Sequence, residues 1–143
     1  MKCKIIIDDK RDEEIIIYTH KMTALINEIE SLCKNETVEL IGFKDKNIIK
    51  LSLKDVFCFV VEKNKVFAIL NDDKLQIKQR LYEIESILDD SFVKVNQSCI
   101  VNVKKIKRFD ASFAGALMVT LENGYKDYVS RRQVRIVKQR VGI

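Results

Sequence analysis

Apolar residues open the chain in two short β-branched runs. Residues 3–7 (Cys-Lys-Ile-Ile-Ile) and 14–18 (Glu-Ile-Ile-Ile-Tyr) flank the polar cluster Asp8-Asp9-Lys10-Arg11-Asp12, which predicts two strands around a turn. The period then changes. Met22, Leu25, Ile26, Ile29, Leu32 and Cys33 recur at helical spacing and predict an amphipathic helix over 22–34 with one core face. This strand–strand–helix piece is too small to fold alone.

Strand-like patterning follows. Val38–Phe43 is apolar, Asp45-Lys46-Asn47 is turn-like, and Ile49, Leu51 and Leu53 alternate with Lys50, Ser52 and Lys54. Val56–Val61 and Lys65–Leu70 flank Glu62-Lys63-Asn64 as a hairpin, and Asn71-Asp72-Asp73 leads to a strand at Lys74–Ile77. Leu81, Ile84, Ile87 and Leu88 mark a helix over 79–88, stopped by Asp89-Asp90. Phe92–Val95, Cys99–Val101, Lys105–Asp110 and Ala116–Glu122 read as strands. Asn123-Gly124 predicts a type I′ hairpin into Tyr125–Val129. From Ser130 a last helix is expected, with Gln133 completing a capping box and Val134, Val137 and Val141 as its apolar stripe. The expected fold is α+β and β-dominated, with about ten short, mostly antiparallel strands and few helices.

Length and composition limit the functions open to such a chain. Its 143 residues suit one domain with an appendage, divided here as 1–41 and 42–143. With four glycines and no proline it carries no G-x-G-x-x-G or G-x-x-x-x-G-K-[ST] phosphate loop. No apolar run approaches the roughly 20 residues of a membrane-spanning helix, and the N-terminus lacks a signal-peptide pattern. A cytosolic setting is expected. Cys3, Cys33, Cys58 and Cys99 include no C-x-x-C pair and are expected to be reduced thiols serving as small core side chains. The single histidine, His20, stands near no catalytic pattern, and the acidic pairs Asp8-Asp9, Asp72-Asp73 and Asp89-Asp90 sit at turns. No metal-ligand spacing occurs, so no enzyme, metal or cofactor is expected.

Charge is more telling when resolved along the chain. The net +5 hides −3 over residues 1–41, zero over 42–90 and +8 over 91–143. Such a concentration is the footprint of a polyanion binder. Within the basic third, Asn102 interrupts an apolar run. It is either a turn-forming residue or an amide able to pair bidentately with adenine. Ser130, Arg131 and Arg132 open the last helix, where cations oppose the helix dipole unless an anion compensates. Phe57, Phe59 and Phe67 read as core, which argues against an RNA-stacking surface.

In order, Phe92, Ser98, Ile100-Val101-Asn102, Ile106, Asn123-Gly124 and Val129-Ser130-Arg131-Arg132 resemble the LytTR DNA-binding domain of bacterial transcription regulators. The resemblance covers about residues 42–143. It implies small antiparallel sheets whose loops enter successive major grooves of double-stranded DNA. By motif it carries base contacts onto Asn102, Arg132 and, in the central hairpin, Asn64. It carries phosphate contacts onto Ser98, with Lys63, Lys65, Asn96, Gln97, Lys104, Lys105, Ser130 and Arg131 as neighbours. A His-Arg pair before the triplet serine is replaced here by Asn96-Gln97. The 41 leading residues cannot form a receiver domain, so the chain looks like the short, receiver-free class, often encoded beside a small membrane protein that restrains it. The implied partners are DNA with paired half-sites, a second copy of the chain forming a homodimer at least on DNA, and such a membrane protein. The alternative reading is a cytosolic interaction module or anti-regulator docking on a membrane partner.

Overall fold

The structure, a computed structural model, describes residues 2–12, 14–34, 39–111 and 116–143. The chain divides into two compact units, residues 1–36 and 37–143.

In the first unit one helix, α1 (Ala24–Lys34), forms at the predicted periodic stretch. The Thr23 hydroxyl accepts the Ile26 N–H at 3.3 Å, capping its first turn. The expected core face is only partly realised. Ile26 is buried, but Met22, Leu25, Leu32 and Cys33 are exposed. The expectation of strands at 3–7 and 14–18 is not met: the described residues there carry no strand. β-Branched composition favours extended backbone, but a strand also needs a neighbour to take its hydrogen bonds, and these two segments do not pair.

The second unit is built as the alternation predicts. Its ten described strands are β1 (Glu39–Lys44), β2 (Asn47–Ser52), β3 (Cys58–Glu62), β4 (Lys65–Ile69), β5 (Lys74–Ile77), β6 (Phe92–Asn96), β7 (Cys99–Asn102), β8 (Ile106–Ala111), β9 (Leu117–Leu121) and β10 (Lys126–Val129). Helix α2 (Leu81–Ile87) precedes β6, and α3 (Val134–Val141) follows β10. Of the apolar stretch Val38–Phe43 that predicts β1, Val38 lies outside the described residues. A seven-stranded sheet runs in the order β2-β1-β5-β4-β3-β7-β6, and a three-stranded sheet in the order β10-β9-β8. All pairings are antiparallel.

Strand alternation gives the large sheet two apolar faces. Leu40, Phe59, Ala68, Leu75 and Ile100 pack with Leu81 and Ile84 of α2 on one face. Cys58, Val60, Cys99 and Val101 pack with Val119, Leu121, Val129 and Val137 on the other, beneath the small sheet and α3. Gly42 lets β1 approach β5: a Cβ there would stand 2.8 Å from the Leu75 side chain.

Two turns differ from expectation. Between β9 and β10 only Gly124 is left-handed (φ 87°), and the Gly124 N–H donates to the Leu121 carbonyl at 2.9 Å. This is a three-residue loop, a type I turn closed by a left-handed glycine, in place of type I′. The two-residue loop with both residues at positive φ is Lys63-Asn64 (49° and 63°), between β3 and β4. The last helix also starts later than predicted. Residues 131–133 form a turn, and the Ser130 carbonyl, not its side chain, accepts the Gln133 and Val134 N–H groups at 2.9 and 3.1 Å. No side-chain cap forms at Gln133, so there is no capping box. Among the described residues no helix is long and apolar enough to cross a membrane.

Candidate nucleic-acid interface

Strand direction decides which expected site residues meet. β3 ends at Glu62 and turns through Lys63-Asn64. Its neighbour β7 begins just after Gln97-Ser98, and the Val61 N–H donates to the Ser98 carbonyl at 2.9 Å. The two turns therefore adjoin at one end of the large sheet. β10 delivers its chain to the same end, where the Ser130 N–H donates to the Val95 carbonyl at 2.8 Å. Three turns thus converge: Lys63-Asn64, Gln97-Ser98 and Ser130-Arg131-Arg132.

The side chains displayed there are polar and cationic. Lys63, Asn64, Lys65, Gln97, Ser98, Arg131 and Arg132 are exposed, and Ser130 is half-buried. Among the described residues Lys63, Lys65, Arg131 and Arg132 enter no ion pair. The arginines precede α3 instead of lying in its first turn, so the expected conflict with the helix dipole does not arise as such. Beyond them, Arg131, Arg135 and Lys138 line an open groove along α3 with Val134, Gln139 and Ile143. Lys63 and Asn64 hold left-handed backbone, which costs a non-glycine residue roughly 1–2 kcal/mol, less for asparagine. The tight turn projects both side chains beyond the sheet.

Four expected contacts are placed elsewhere or turned inward. Asn102 is buried, its amide donating to the Val56 carbonyl at 2.9 Å and accepting the Lys104 N–H at 3.1 Å. Of its two readings, this is the geometry of the turn former, with no amide edge free for a base. It stands at the other end of β7, about 13 Å from Ser98 at the usual rise per residue. Lys104 and Lys105 follow it in the Val103–Lys105 turn. The Lys105 ammonium lies 4.9 Å from the Phe57 ring centroid. Asn96 is also buried: its amide donates to Asp127 Oδ1 at 2.9 Å and the Tyr128 carbonyl at 2.8 Å, and its oxygen accepts the Ser98 N–H at 2.8 Å. A phosphate could reach none of these atoms.

The amide the structure does present is that of Gln97, one residue past Asn96. The motif resemblance makes Gln97 a phosphate contact, because turn position alone does not separate an inward amide from an outward one.

A family model for the LytTr DNA-binding domain matches residues 46–142. The chain belongs to the LytTR family. It is a DNA-binding transcription regulator, and no enzymatic activity attaches to that family assignment. The chain is 33% identical to an uncharacterized HTH-type transcriptional regulator of Staphylococcus aureus (strain MSSA476), over all of this chain and 99% of that one. A relative from strain NCTC 8325 is 32% identical over the same shares. The LytTR fold is also seen in a solved LytTr DNA-binding domain from Bacillus cereus, with a TM-score of 0.68, 21% identity, and coverage of 73% of this chain and 97% of that one. The relatives are called HTH-type, yet in this LytTR protein five strands separate α2 from α3, so those two helices form no such motif.

Proposed function

We propose that this LytTR protein reads base pairs through the three convergent turns, with Asn64, Gln97 and Arg132 addressing base edges. Lys63, Lys65, Ser98, Ser130 and Arg131 address phosphates. The observation that carries the reading is the convergence itself: exposed amides on one edge with cations that enter no ion pair among the described residues. Amides and guanidinium groups are the side chains that pair bidentately with adenine and guanine edges. Asn102 drops out of base reading and instead fixes the Val103–Lys105 turn. Selection of bound duplexes from a random pool supplies the operator. Arg132→Ala or Asn64→Ala should then weaken operator binding by about 5- to 150-fold and relax base preference at one position. Full sequence preference in the double variant would overturn the assignment.

We further propose that two copies occupy paired half-sites in the cytosol, associating through residues 1–36. The support is apolar exposure. Ile5, Ile6, Ile7, Ile15, Ile16, Tyr18, Met22, Leu25 and Leu32 are all at least half exposed. At about 120 Å² per side chain and the fractional exposure each retains, they offer roughly 800 Å², the area one partner contributes to a standard interface. Leu32→Glu should shift sedimentation towards monomer. An unchanged monomer in both forms would leave this face to a membrane-protein regulator.

A further inference from the structure

Two of the three turns are tied together by a polar pair, buried Asn96 and half-buried Asp127. Asn96 sits where the β6–β7 register shifts between Lys94 and Asn96. Such a bulge re-aims a side chain, and here Val95 and Asn96 are buried in succession. The Asn96 amide is spent inward on three groups: it donates to Asp127 Oδ1 and the Tyr128 carbonyl of β10, and accepts the Ser98 N–H of its own turn. Asp127 is held in its turn by the Tyr128 N–H at 2.8 Å and, at 3.5 Å, by the Tyr125 hydroxyl. Next to the pair, the Ser130 N–H donates to the Val95 carbonyl. The segments carrying Gln97 and Arg132 are therefore joined by three hydrogen bonds, two from Asn96 and one to its neighbour Val95, and a fourth fixes Asn96 to its own turn, all within 2.9 Å.

We propose that Asn96 and Asp127 are a positioning pair that sets the Gln97-Ser98 turn and the Arg131-Arg132 turn in fixed register, so that the two read DNA as one unit. The proposal rests on the reading of those turns as the DNA-contacting edge. Neither residue of the pair touches DNA. A half-satisfied buried amide would cost stability, so the informative readout is coupling. In the full-length protein with the selected operator, Gln97→Ala and Arg132→Ala should be non-additive, the double variant departing from the product of the single effects by about tenfold. In an Asn96→Ala background the same two substitutions should simply multiply. The ratio of operator to scrambled-duplex affinity should fall about tenfold while the salt slope, set by cations left in place, stays unchanged. Asp127→Ala is the second variant, because it leaves the Asn96 bonds to Ser98 and Tyr128 intact and should give a smaller loss of coupling in the same direction, readable even if Asn96→Ala does not fold. Multiplying effects in the wild-type background, or coupling that survives both Asn96→Ala and Asp127→Ala, would overturn the proposal. Neutral Gln97→Ala and Arg132→Ala singles would instead overturn the DNA-contact reading beneath it, and the singles tell the two failures apart.

Discussion

At the scale of single residues, the decisive variable is which way a polar side chain is spent. Asn102 and Asn96 each occupy an element end in a basic region, where sequence suggests DNA contact. Each is nevertheless consumed by backbone groups that strand pairing leaves over. Asn102→Ala should therefore act on stability, lowering it by about 1–3 kcal/mol in urea titration, because the buried Val56 carbonyl loses its amide donor. The folded fraction should keep its operator preference. A relaxed base preference at wild-type stability would restore Asn102 to the interface. The cysteines divide the same way. Cys3 and Cys33 are exposed, against the expectation of four core thiols, while Cys58 and Cys99 are buried. Hydrogen bonding with Cys58, reinforced by burial, pushes the Cys99 thiol far above its ordinary pKa. A thiol reagent should accordingly titrate two cysteines in the native protein and four in denaturant. Rapid native reaction of all four would contradict the packing.

At the scale of elements, local pattern and tertiary demand agree almost everywhere in residues 39–143. Period-two alternation marks β1, β2, β4 and β5, which bury one face more than the other, whereas β3, β6 and β7 are buried on both faces and show as short continuous apolar runs. The α2 stripe is visible because Leu81 and Ile84 must reach the core. The pattern could not show the pairing partner of a strand. Residues 3–7 and 14–18 have the right composition and no ladder. Nor could it separate a type I′ turn from a type I turn with a left-handed glycine, since Asn-Gly satisfies both. The converging edge was legible as motifs but not as geometry: Lys104 and Asn102 are neighbours in sequence to Ser98 and lie a strand's length away in space. Packing at the β1–β5 contact is a further point that no periodicity announces. Gly42→Ala should destabilise the fold by about 1–3 kcal/mol, since a Cβ 2.8 Å from Leu75 forces that buried side chain or the strand to move. Thermal unfolding measures this, and an unchanged midpoint would mean that β1 yields freely.

At the scale of the whole molecule, the +8 of residues 91–143 is spread over β6, the Val103–Lys105 turn, the small sheet and α3, and only Arg131 and Arg132 of it stand at the convergent turns, beside Lys63 and Lys65. Each neutralised phosphate contributes about 0.9 to the slope of log affinity against log salt. Lys63→Ala with Lys65→Ala should therefore flatten the slope by about two units, because both lysines stand on the proposed DNA-contacting edge and enter no ion pair among the described residues. Lys104→Ala with Lys105→Ala removes the same formal charge. Those lysines lie at the far end of β7, and Lys105 rests against the Phe57 ring, so the slope should change by less than about half a unit. Equal total charge in the two variants removes the trivial explanation, since a protein attracted to DNA only by its net field would respond alike to both. Gel shifts on the selected operator at several salt concentrations make the comparison. Equal flattening would mean that DNA wraps towards the Val103–Lys105 turn as well, and a larger effect at Lys104 and Lys105 would move the interface to the opposite end of the sheet.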